Sequence, residues 1–131
     1  MINIKATVKG EPDTVPFTHI FLYRNKSDEQ IFYNSVEMIK DKVNKNLRIN
    51  INESLLIYCA YVIGGLRSRK SVTLIEENAQ KILSPDKVMI GVPESLRKIT
   101  FEAKIDRLSK RQINLKEPIT TSNYILTAKN C

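Results

Sequence analysis

A chain of 131 residues with 42% hydrophobic and 27% charged residues has the composition of one globular domain, large enough to bury a core without disulfide or metal staples. Its 21 basic and 14 acidic residues give a formal charge of +7, which admits nucleic acid, an acidic surface or acidic partner subunits without choosing among them. The longest apolar run, residues 55–66, falls short of the roughly twenty residues that cross a bilayer, the first residues show no leader-like apolar block, and two cysteines make no disulfide framework, so a cytoplasmic protein without a membrane span is expected.

In chain order, Ile2, Ile4, Ala6 and Val8 alternate with Asn3, Lys5, Thr7 and Lys9, the period of a half-buried strand. A second extended run over residues 15–23, with Pro16 at its start, completes an N-terminal hairpin. Ser27 and Gln30 have the spacing of a capping box, predicting a helix whose apolar stripe is Phe32, Val36, Ile39 and Val43. Asn50 and Glu53 repeat the capping pattern before residues 55–66, an element with no polar face that must be covered nearly all round by its own domain or by another chain. Gly64 and Gly65 near its end suggest close backbone approach or early termination. Ser71 caps a third helix carrying Val72, Ile75, Ala79, Ile82 and Leu83.

Residues 82–96 form the junction between this helical half and a β half. Ser84 and Pro85 read as an N-cap and first-turn proline, Gly91 breaks the short turn they begin, and Pro93 stiffens the exit into a strand, with Met89 and Val92 packed inside. Beyond it Ile99, Phe101, Ala103 and Ile105 alternate with polar residues, and Ile113 with Leu115 repeats the pattern, giving an antiparallel hairpin that Pro118 ends. Tyr124, Leu126 and Ala128 are spaced for a further strand or a segment that orders on a partner. The fold class is therefore α+β: a three-helix cluster followed by an antiparallel β-hairpin, with an additional N-terminal β-hairpin.

Catalytic chemistry is hard to build from these residues. The single histidine, His19, lacks the second histidine or cysteine cluster that a metal site needs and reads as structural or solvent-facing. Cys59 lies in an apolar run and reads as a buried thiol, while Glu76 and Glu77, adjacent on a helix, point in different directions. The basic knot Arg67, Arg69 and Lys70 could grip phosphates, but cations at a helix C-terminus also suit the macrodipole, and no aromatic platform or glycine-rich loop accompanies them.

Three stretches carry a family resemblance. Leu83 to Glu94 resembles Leu-Thr-x-x-x-Val-Met-x-Gly-Val-Pro-Glu of the small gamma subunit of urease, matching in register at Val88, Met89, Gly91, Val92, Pro93 and Glu94. Asn50 and Glu53 match that family's Leu-Asn-x-Pro-Glu-Ala, with Asn52 in place of the proline and Ser54 in place of the alanine. Gly65, Arg67, Lys70 and Val72 match Gly-Ala-Arg-x-Gly-Lys-Thr-Val, with Arg69 in place of a glycine. Phe101 to Ala103 and Glu117 to Ile119 are similar to the family's Val-Glu-Ala and Asn-Pro-Ile, one residue further apart and without its Asp-Gly turn. The resemblance implies an N-terminal β extension (1–26), a urease gamma-like domain (27–119) and a C-terminal tail (120–131). It further implies a non-catalytic structural subunit that assembles with alpha and beta subunits, commonly as a trimer of heterotrimers. Nickel, its carbamylated lysine and its histidines would belong to the alpha subunit, which hydrolyses urea to ammonia and carbamate, and this chain would hold no cofactor. The matching residues are then interface or junction positions. A stand-alone basic module binding nucleic acid or protein is the alternative, with nucleic acid disfavoured. Removal of residues 1–25 is expected to weaken assembly while leaving the helical half folded.

Overall fold

The computed structural model describes residues 1–10 and 15–120. Its elements are β1 (Ile2–Lys9), β2 (Phe17–Tyr23), α1 (Lys26–Asn44), α2 (Ile51–Arg67), α3 (Val72–Asn78), a four-residue helical turn α4 (Val92–Ser95), β3 (Lys98–Ile105) and β4 (Arg111–Lys116), with 3-10 turns at Ala79–Lys81 and Pro85–Lys87. The expected α+β class holds, and both hairpins form. They are not separate, because β1 pairs antiparallel with β3 as well as with β2 and all four strands make one sheet in the order β2-β1-β3-β4. The proposed tail strand at Tyr124, Leu126 and Ala128 lies outside the described residues.

Alternation decides the layers. The even residues of β1 face inward with Ile99, Phe101, Ala103 and Ile105 of β3 and Ile113 and Leu115 of β4, all at most 1% exposed, while the residues between them face solvent. Phe32, Val36 and Ile39 of α1 and Leu55, Tyr58, Cys59, Val62 and Ile63 of α2 complete the core. The apolar helix α2 is thus covered by its own chain, and its composition says nothing about a partner. One edge of the sheet is covered: the Asn114 backbone N–H donates to Glu76 Oε2 on α3 at 2.7 Å.

Helix starts follow local hydrogen bonding. α1 begins earlier than Ser27 and Gln30 suggest, because Asn25 takes the cap, its Oδ1 accepting from Asp28 N–H at 2.9 Å while Asp28 Oδ2 accepts from Arg24 N–H at 3.1 Å. Asparagine is at least as good a cap as serine, and it comes first along the chain. Ser71 caps α3 as its sequence predicts, accepting from Leu74 N–H at 3.1 Å. After Asn78 the helix tightens into a 3-10 turn that buries Ala79, and Leu83 just beyond it is buried as well.

Candidate functional site

The matching residues fall in three places, beginning with the start of α2. Asn50 and Glu53 form the expected capping box: Asn50 Oδ1 accepts from Glu53 N–H at 2.8 Å and Glu53 Oε1 accepts from Asn50 N–H at 3.1 Å. Lys42 of α1 reaches Glu53 Oε2 at 2.6 Å. Burial works to raise the Glu53 pKa, but the hydrogen bonds from Lys42 and Asn50 outweigh it and hold the carboxyl below its ordinary value. These two residues fasten a helix start.

At the other end of α2, a Cβ built on Gly65 would stand 2.8 Å from both Cγ1 and Cδ1 of Ile75, so the close approach expected there is an α2–α3 contact. Gly64 has open space beside it. Lys70 N–H bonds to Gly65 O at 3.0 Å and Arg69 N–H to Leu66 O at 3.1 Å, a Schellman ending with Arg69 in the left-handed region at φ 58°. The chain makes the turn that a glycine would make, at a cost of roughly 1–2 kcal/mol for a residue with a Cβ. Arg67 turns back into the molecule. Its Nε donates to Asp106 Oδ2 at 3.2 Å, Nη1 to the Tyr33 hydroxyl at 3.1 Å, and Nη2 to Glu29 Oε1 at 2.9 Å and Asp106 Oδ1 at 3.1 Å. Partial burial opposes its charge, yet the hydrogen bonds to Glu29 and Asp106 prevail and raise its pKa further. Of the basic knot, Arg67 is therefore a clamp between α1, α2 and the β3–β4 turn, while Arg69 and Lys70 stay exposed.

The third place is residues 82–97. Ile49 and Val88 form an isolated parallel bridge, with Met89 N–H donating to Ile49 O at 2.9 Å and Ile49 N–H to Lys87 O at 3.1 Å. Extended backbone sends successive side chains to opposite sides, so the burial of Val88 turns Met89 outward. Met89 is 46% exposed and Ile90 94%, against the expectation that Met89 packs inside; Val92, at 5%, does pack. Gly91 sits at φ 91° and turns the chain into α4. Pro93 is buried within that helical turn and does not stiffen a strand, since β3 begins only at Lys98. Ser84 holds the backbone position of a cap, but its hydroxyl donates to Asp86 Oδ1 and makes no cap bond. The outcome is a shallow cleft of about 830 Å³, with Met89 and Ile90 beside the half-buried Glu94 and flanked by Arg48, Asp86 and Arg97.

Other candidates offer no reaction centre. His19 is exposed and stacks on Phe21 at 4.6 Å. Burial pushes the Cys59 thiol far above its ordinary pKa, away from the reactive thiolate. Among the described residues, no group of three or more histidine, cysteine, aspartate or glutamate side chains is placed to hold a metal ion, and no helix is long and apolar enough to cross a membrane.

The family model described as "Urease, gamma subunit" matches residues 20–119, which include all three places. The chain belongs to the urease gamma subunit family. A urease subunit gamma from Halalkalibacterium halodurans is 37% identical over 67 residues, 51% of this chain and 67% of that protein. Another, from Prochlorococcus marinus, is 27% identical over 78 residues, 60% of this chain and 78% of that protein. β1 and the first half of β2 lie outside the urease gamma match, and in this chain β1 stands between β2 and β3 in the sheet. Glu29, Tyr33 and Asp106, the partners of Arg67, were not found by sequence reasoning. Glu29 and Asp106 stand 38 and 39 residues from it, beyond the reach of any local pattern.

Proposed function

We propose that this chain is a non-catalytic structural subunit of a nickel-dependent urease complex that hydrolyses urea to ammonia and carbamate. In this reading the chain assembles in the cytoplasm with urease alpha and beta subunits, three copies of the heterotrimer together, and catalysis with its nickel belongs to the alpha subunit. This chain supplies contact area, and no step of the hydrolysis runs through its residues.

The observation that supports the reading is the coincidence of the family match with the outward side of residues 88–94. Ile90 is 94% exposed and stands next to Met89, an arrangement from which an isolated chain gains nothing. Burying one such side chain against a partner is worth roughly 1.5–3 kcal/mol. Glu94, Arg48 and Arg97 around it suit a polar rim.

Purification of the chain from its native lysate, with mass spectrometry of co-purifying proteins and an assay for ammonia released from urea, tests this. A large nickel-containing partner with activity is expected. Ile90→Asp should lose that partner at unchanged melting temperature, because the side chain touches little of its own fold. Recovery of the chain alone or with nucleic acid, and no activity, would favour the stand-alone module.

A further inference from the structure

A second cleft, of about 820 Å³, opens between the end of α2 and the β3–β4 turn. Its floor is apolar, made by Leu66, Ala103, Ile105 and Leu108, and its rim carries the exposed cations Arg69, Lys70, Arg107 and Arg111. Asp106 is the one carboxylate that lines it, and it is already engaged by Arg67. Among the described residues, none of the four rim cations has an ion-pair partner. Four like charges around one opening repel one another, so folding gains nothing from collecting them there.

Arg69 sharpens the point. It occupies a left-handed position where the resembling family has glycine, so the chain holds this guanidinium on the rim at the expense of its own stability. Backbone strain of this kind gathers where a side chain is needed for recognition. Guanidinium forks match carboxylates in geometry as well as in charge. The apolar floor calls for an apolar side chain between the acidic groups, and no aromatic ring lines the cleft on which a nucleic-acid base could stack.

We propose that this cleft binds an acidic peptide segment of a partner protein, with an apolar side chain on the Leu66–Leu108 floor and carboxylates on Arg69, Arg107 and Arg111. The identity of that partner as a urease subunit rests on the preceding proposal; the cleft itself is tested without any partner present.

The full chain is titrated against a fluorescein-labelled dodecapeptide of repeating Glu-Leu-Glu triplets, by fluorescence anisotropy at about 0.15 M ionic strength. Wild-type chain is expected to bind, and Arg69→Gly and Arg107→Gln each to weaken binding roughly tenfold or more, with Lys81→Gln, which does not line the cleft, unchanged. Arg69→Gly should at the same time melt roughly 3–8 °C higher, since it removes the strain together with the contact. Absence of wild-type binding, equal weakening by Lys81→Gln, or tighter binding of inorganic tripolyphosphate than of the peptide would overturn the proposal. None of these results bears on whether urease subunits co-purify, so the two proposals fail separately.

Discussion

An alanine at Gly65 would press its Cβ against Cγ1 and Cδ1 of Ile75, both 2.8 Å away, and Ile75 is only 1% exposed, with little room to move. Gly65→Ala should therefore cost roughly 1–3 kcal/mol through overpacking. Gly91→Ala meets open space but a φ of 91°, and should cost roughly 1–2 kcal/mol through the backbone alone. Gly64→Ala meets neither obstacle in a helix interior and should gain up to about 1 kcal/mol. Urea denaturation of the three variants checks all three signs. Asp106 gives a prediction of another kind: hydrogen bonds from Arg67, then from the amino terminus, hold its carboxyl below the ordinary value. A carboxyl with a depressed folded pKa stabilises fully above its unfolded value near pH 4 and loses that contribution as pH falls through the folded value. Asp106→Asn should thus be less stable than wild type at pH 7, by about 0.5–1 kcal/mol given its exposure, and the difference should vanish toward pH 2. Denaturation midpoints measured across that range test it.

At the scale of the element, what was legible in the sequence is what local patterns encode. Strand alternation in β1 and β3, the Asn50–Glu53 box and the Ser71 cap all depend on residues within a few positions of one another, and all formed as read. Competition between neighbours was harder to judge. Asn25 displaced Ser27 as a cap, and the Ser84 hydroxyl preferred Asp86. Met89 was misplaced because its direction is set by a bridge to Ile49, which no spacing announces. Both long helices end in the same way, with Asn46 at φ 61° and Arg69 at φ 58° in left-handed positions. Asparagine adopts that conformation at less cost than arginine, so the second ending is the one that glycine would stabilise more. Of the candidate cleft, the sequence marks residues 88–94 as a junction, and the fold decides which of them face outward.

For the molecule as a whole, the N-terminal hairpin is structural before it is anything else. β1 contributes Ile2, Ile4 and Ala6 at 0% exposure and Val8 at 1%, and β2 contributes Phe21 at 6%. Each large apolar side chain removed from such a setting is worth roughly 1.5–3 kcal/mol, against a total stability of about 5–15 kcal/mol. A chain lacking residues 1–25 is therefore expected to lose cooperative thermal unfolding, in place of the intact helical half that the sequence suggested; a sharp melt by circular dichroism would count against this.

The position of β1 also sets a timetable. Ile2 pairs with Ile105 and Lys9 with Lys98, so β1 leaves the ribosome well before its neighbour β3 exists. At translation speeds of roughly 5–20 residues per second, that delay is on the order of 5–20 s. Throughout it, β1 can pair only with β2 and shows a bare edge and an apolar face to the crowded cell. Lys5 and Lys9 lie exposed on its other face, and lysines on a bare strand are the kind of charge that disfavours pairing with a second chain.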